Sequence, residues 1–218
     1  MPSKSFVQCL QKTIRKLLAG AILTVFAPDL GAVTVINNLD QPFAGNAALQ
    51  SSQILAAPFS TSEAGWEFQS FTLRFSESTG EPPLSTLTVS IHSDNAGKPG
   101  ALLQTLLGDP NPISAGLYQY TSPVNVALNP NDLYWILFQV DTPNTTYLGA
   151  MTLSSNMDTL PGWTMNTSWL SPNGVDWINA GSYFLTSIEA IPESASGSIL
   201  LASGATLLFF KRRKNRRS

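Results

Sequence analysis

Phe71-Thr72-Leu73-Arg74-Phe75 turns three apolar side chains to one side and a threonine and an arginine to the other, and this two-residue period recurs along the middle of the chain. Leu87-Thr88-Val89-Ser90-Ile91-His92 repeats it, as do Val124, Val126 and Leu128. Successive strand side chains point to opposite faces, so such runs read as half-buried strands. Leu133 to Val140 (LYWILFQV) is apolar at both parities except Gln139, which predicts a central strand covered on both sides. Between the runs stand Asp94-Asn95-Ala96-Gly97-Lys98-Pro99-Gly100, Asn129-Pro130-Asn131-Asp132 and Pro172-Asn173-Gly174. These residues fix φ or tolerate positive φ, and so turn the chain. The pattern predicts an all-β fold, a single β-sandwich or jelly-roll domain over residues 33–190.

Charge divides the chain differently. Of its twelve basic residues, Lys4, Lys12, Arg15 and Lys16 lie at the start, and Lys211, Arg212, Arg213, Lys214, Arg216 and Arg217 at the end. Only Arg74 and Lys98 remain for the middle, against twelve acids between Val33 and Ile191. Nucleic-acid binding depends on cations that neutralise phosphate, so this body is not expected to bind DNA or RNA. Basic clusters beside apolar segments instead mark the cytoplasmic side of a membrane. Leu17 to Ala27 is an apolar run behind Lys12, Arg15 and Lys16, broken by Pro28 and followed by Leu30-Gly31-Ala32. Residues 1–32 therefore read as a signal-peptide helix cut by signal peptidase after Ala32, with an uncleaved N-terminal anchor as the alternative.

Ser194 to Phe210 is a second apolar segment, long enough for a short transmembrane helix, and the cations from Lys211 to Arg217 follow it as a stop-transfer tail. A buried terminal helix is the other reading of that segment. Pro192-Glu193, the apolar run and the terminal Arg/Lys cluster together resemble the PEP-CTERM sorting signal of Gram-negative bacteria, with Ser194 in place of the motif's second proline. The resemblance implies that residues 191–218 are read by an exosortase-like membrane processing enzyme. The precursor would sit in the cytoplasmic membrane with its domain outside, and the mature form on the cell surface, alongside exopolysaccharide. The Ser93-Asp94-Asn95-Ala96-Gly97-Lys98-Pro99-Gly100 turn, the later Tyr134-Trp135 strand and the Trp169-to-Trp177 stretch resemble the choice-of-anchor R type of domain. That resemblance implies an extracellular β-sandwich with no established activity.

Few residues carry chemistry. One cysteine, Cys9, and one histidine, His92, leave too few ligands for a Cys/His metal site, and Cys9 precedes the apolar run instead of closing it, as a lipid-modified cysteine would. No cofactor is implied. Ser90, His92 and Asp94 share one strand face, but the spacing of i and i+2 side chains predicts that Ser90 and His92 do not touch, and so no nucleophile–base pair. Paired carboxylates among Glu63, Glu67, Glu77 and Glu81 are the material for a surface glycoside hydrolase, though acids in loops more often face water. Asp94, Asn95 and Asp109 read as turn residues in preference to a calcium loop. Trp163, Trp169, Trp177 and Tyr183 cluster near the end of the domain. Exposed, such rings stack on sugars; buried, they fill the core. The leading expectation is a non-enzymatic surface structural or interaction protein, with a carbohydrate-binding module as the alternative.

Overall fold

The computed structural model describes residues 31–76, 86–141 and 146–193, and regular structure among them is entirely strand. In chain order the strands are β1 (Val33–Asn37), β2 (Gly45–Leu49), β3 (Ile54–Ser60), β4 (Trp66–Phe75) and β5 (Leu87–Asp94). There follow β6 (Pro99–Thr105), β7 (Gly116–Leu128), β8 (Leu133–Val140), β9 (Tyr147–Thr152) and β10 (Asp158–Thr159). The last are β11 (Thr164–Met165), β12 (Trp169–Ser171), β13 (Ile178–Asn179), β14 (Tyr183–Phe184) and β15 (Thr186–Pro192). One sheet runs β10-β1-β15-β4-β9-β14, with β2 on β9 and β7 on β4; the other runs β13-β12-β3-β8-β5-β6, with β11 on β3. The expected signal-peptide helix up to Leu30, the apolar segment from Ser194 and the basic tail from Lys211 to Arg217 lie outside the described residues.

The two-residue period explains how the sheets meet. On β4, Phe71, Leu73 and Phe75 are buried, while Thr72 is half-buried and Arg74 faces water. On β5, Leu87, Val89 and Ile91 are buried in the same way. These faces pack together as a sandwich, with Phe71 of one sheet 5.6 Å from Phe138 of the other, and Phe138 5.0 Å from Phe184. Burial of that many large apolar side chains is the main force holding the sheets in register. β8 lies centrally, between β3 and β5, and is buried at both parities except at Gln139 and, in part, Leu133.

Val124 departs from the expected pattern. It is exposed although Val126 and Leu128 are buried. The β4–β7 register passes from Phe68↔Val126 to Ser70↔Thr121, so the four residues Ser122 to Asn125 stand against Gln69 alone and swing out of the ladder. The inward parity of β7 is the same on both sides, with Tyr120 buried before the bulge and Val126 and Leu128 after it. Val124 is exposed because it lies in the looped-out residues, a detour invisible to simple alternation. The last strand also runs past the expected boundary at residue 190. Ile191 and Pro192 pair with Glu67 and Trp66, and the Glu193 amide donates to the Gly65 carbonyl at 3.1 Å. The Pro192-Glu193 motif thus begins as sheet.

The β5–β6 hairpin shows how a turn is written in sequence. Ala96 and Gly97 take φ of 54° and 79°, as the two central residues of a type I′ turn require. The Asp94 carboxylate caps it by accepting from the Gly97 amide at 3.0 Å. Alanine meets steric strain in that left-handed conformation, whereas asparagine tolerates it. Ala96→Asn is expected to raise stability by about 0.5–1 kcal/mol in urea denaturation. A loss instead would show that the turn is not type I′.

Candidate functional site

The four aromatic residues singled out in the sequence separate into different environments. Trp163 is only 2 % exposed, stacked on Phe59 at 6.2 Å and edge-on to Trp66 at 5.5 Å. It belongs to the core and cannot receive a sugar. Its leading segment, between β10 and β11, folds back through a Trp163 amide to Leu160 carbonyl bond and carries the indole between the sheets. Trp169, Trp177 and Tyr183 stay half-buried.

Trp169 of the second sheet and Tyr183, on β14 at the edge of the first, meet at a groove beside the outer face of the second sheet. Register puts Trp169 opposite Ala56 on β3, and Pro58 opposite Trp135 on β8, so these residues share the outward face. The groove, of about 310 Å³, is lined by Pro58, Gly97, Trp135, Asn166, Trp169 and Tyr183, with Leu133, Thr167 and Asn179 around them. Trp135 is the pivot. Trp169 stands edge-on to it at 5.8 Å, and Trp177 flanks it at 6.4 Å without lining the groove. The Trp135 indole N–H donates to the Asp94 carboxylate at 2.8 Å, and this bond ties the hairpin turn to the central strand. The two sequence segments, turn and Tyr-Trp strand, are therefore one structural unit.

The polar groups of the groove divide into those already satisfied and those left open. The Asn179 side chain donates to Thr167 Oγ1 at 2.6 Å and accepts from the Gly181 amide at 2.8 Å. It braces the loop. The Asn166 backbone amide is anchored on the Pro58 carbonyl at 3.0 Å. Among the described residues, the Asn166 side-chain amide and the Tyr183 hydroxyl have no hydrogen-bond partner and line the groove. Aromatic rings set beside open, orientable polar groups are features that small-ligand sites use.

The sequence assigns neither Trp135 nor Asn166 a place in a binding site, although Tyr134-Trp135 is part of the resemblance described above. Trp135 reads as one more apolar residue in a buried strand. A buried indole needs a partner for its N–H, and that requirement was the available signal for a polar contact on that face. Asn166-Thr167-Ser168, like Asn144-Thr145-Thr146, matches the glycosylation pattern, a pattern common by chance that does not point to a groove.

Ser90 and His92 correct the spacing argument. Ser90 Oγ lies 3.0 Å from His92 Nε2, and His92 Nδ1 lies 3.1 Å from the Gly100 carbonyl. The β5–β6 register shifts at both Ile91/His92 and His92/Asp94, and the ring reaches back along the strand. With Nδ1–H donating to Gly100, Nε2 accepts from Ser90. Yet Ser90 is 3 % exposed, and Asp94 serves Trp135 and Gly97 instead of His92. The pair is built into the sheet, without room for a substrate at the hydroxyl.

Burial lowers the His92 pKa below its ordinary 6.5, opposed by the bond to Gly100. A depressed pKa means the unfolded chain takes up the proton first. The contribution of neutral His92 to stability is therefore full above about pH 6.5 and is lost as pH falls below it. His92→Gln is expected to flatten the stability profile between pH 7 and pH 5, followed by urea denaturation. An unchanged slope would exclude His92 as the source.

Glu67 lies on β4 in the first sheet, whereas the groove lies on the second; Glu77 and Glu81 fall outside the described residues. Asp109 accepts from the Asn111 amide at 2.8 Å, in keeping with a turn role. Among the described residues no group of three or more His, Cys, Asp or Glu side chains could hold a metal ion, and no helix is long and apolar enough to cross a membrane. No family model matches the chain, and a search of the curated proteins finds no significant match.

Proposed function

We propose that this chain is an exported cell-surface interaction protein whose domain holds extracellular polysaccharide through the groove at Trp169 and Tyr183. The observation that carries the reading is the groove itself: an indole, a phenol and an unpaired amide converge beside an apolar floor on an outward sheet face. A sugar ring offers matching chemistry, an apolar face of C–H groups with hydroxyls at the rim. In this reading the role is non-enzymatic, the sandwich is of jelly-roll type, and signal peptidase cuts after Ala32. An exosortase-like enzyme then reads Pro192-Glu193 with the apolar helix and the tail from Lys211 to Arg217, and moves the domain to the surface.

Two measurements test it. Mass spectrometry of the surface-exposed protein is expected to find a chain that begins at Val33 and lacks the basic tail. Retention of the intact tail would make the C-terminal segment a permanent anchor and remove sorting by cleavage. Glycan-array binding by the full chain is expected, and expected to disappear in Trp169→Ala; binding indifferent to that change would remove the groove from the proposal.

A further inference from the structure

The chemical character of the groove narrows its ligand further, provided that the ligand is a polysaccharide as proposed. None of the residues that line it carries a formal charge. The nearest sequence charges belong to the hairpin beside Gly97. Of these, the Asp94 carboxylate is committed to Trp135 and to the Gly97 amide. The described residues hold two cations, Arg74 and Lys98, against eleven acids. Arg74 lies on β4 of the first sheet, and Lys98 follows Gly97 in the hairpin turn, exposed to water and outside the groove lining.

Recognition of a uronate, sulfate or phosphate group uses charge-assisted bonds from Arg or Lys, about twice as strong as neutral ones. An anionic polymer would also meet the repulsion of the acidic body over about 10 Å at moderate salt. Both effects disfavour it. What the groove offers is the Trp169 ring for stacking, the Asn166 amide as donor and acceptor, and the Tyr183 hydroxyl as either. These suit vicinal hydroxyls, each of which both donates and accepts. The volume of about 310 Å³ lies at the low end for ligand sites and fits a sugar ring with part of its neighbour.

We infer that the groove selects a neutral pyranose-based glycan, with Trp169 as the stacking platform and Asn166 and Tyr183 as the groups that fix its orientation. The test uses the full chain in lauryldimethylamine oxide, a detergent without a sugar headgroup. It is titrated with alpha-linked and beta-linked glucan hexasaccharides and with a galacturonan hexasaccharide, read by tryptophan fluorescence and calorimetry. Saturable binding of a glucan is expected, changing less than about twofold between low and high salt, with the galacturonan at least about tenfold weaker. Asn166→Ala, at an exposed loop position, is expected to weaken glucan binding about fivefold without moving Tm. Trp169→Ala is expected to weaken it about tenfold or more.

Tighter binding of the galacturonan, falling steeply with salt, would overturn neutral selectivity and leave the polysaccharide reading standing. Failure of every oligosaccharide to bind, with fluorescence unchanged in all titrations, would overturn both. Glucan binding unaffected by Asn166→Ala and Trp169→Ala alike would place the ligand elsewhere and overturn the inference.

Discussion

Trp135→Ala is expected to destabilise the domain by about 3–5 kcal/mol, the usual cost of removing a fully buried tryptophan. Trp135 is 1 % exposed, yet it does not belong to the core between the sheets. With Ala56 and Leu137 it forms a second, smaller apolar layer on the outside of the β3–β8 pair, closed by Trp169 and Trp177. Removing the indole strips the support from both flanking rings and leaves the Asp94 carboxylate without its Trp135 bond. Trp135→Phe keeps an aromatic ring, loses that bond and leaves a smaller cavity, so it is expected to cost about 2–3 kcal/mol. Urea denaturation of the full chain, followed by circular dichroism, separates the two. A Trp135→Ala loss below about 1 kcal/mol would mean that the outer layer is not packed.

The second large effect lies where the chain leaves one sheet for the other. After β6 the Leu106 amide donates to the Val89 carbonyl at 2.9 Å, and Leu107 exchanges two bonds with Thr121 of β7, each 2.8 Å. Gly108 comes next, and a Cβ placed there would lie 2.8 Å from the Gln119 carbonyl oxygen and overlap the Tyr120 ring. Neither neighbour yields easily. Gln119 presents backbone, and Tyr120 is buried with its hydroxyl bonded to the Asp109 carbonyl at 3.1 Å. Burial, with the Asp109 carboxylate next in effect, pushes the Tyr120 hydroxyl pKa upward, so it stays a donor. Gly108→Ala must therefore lift the crossing segment off β7 and break the Leu107–Thr121 pair, at about 3 kcal/mol. Gly97→Ala is the comparison: open space surrounds Gly97, and only its φ of 79° opposes a side chain. It is expected to cost about 1–2 kcal/mol. Equal losses in the two variants would show that the crossing is not sterically tight.

The groove follows from the register that builds this outer layer. A one-residue slip of β12 against β3 would put Leu170 outward and Trp169 inward, because neighbouring strand residues face opposite ways. The observed pairing of Trp169 with Ala56 places the larger ring opposite the smallest partner, which leaves space beside it. Pro58 supports this from within a strand. It has no N–H to give the ladder, and its carbonyl is free to hold the Asn166 amide that leads β11 into the groove loop.

Within the domain, the residue pattern determined that the chain forms strands, which parity of Phe71 to Phe75 and of β5 is buried, that β8 is covered on both faces and, through its turn residues, where the Asp94-to-Gly100 turn falls. Those are local properties, set by side-chain volume, by two-residue geometry and by residues that accept positive φ. Only the tertiary structure decided which aromatic residues are core and which face water. Trp163 and Trp169 sit six residues apart in similar surroundings of sequence, yet one packs between the sheets and the other on their outside. The difference lies in long-range contacts: Trp169 is set by β3, and Trp163 by the β10–β11 connection, whose Leu160 amide donates to the Val35 carbonyl. The contacts of Ser90 with His92 and of Asp94 with Trp135 are equally non-local in cause. They depend on shifts in the β5–β6 ladder and on the neighbour that β8 supplies, neither of which a single strand's sequence encodes.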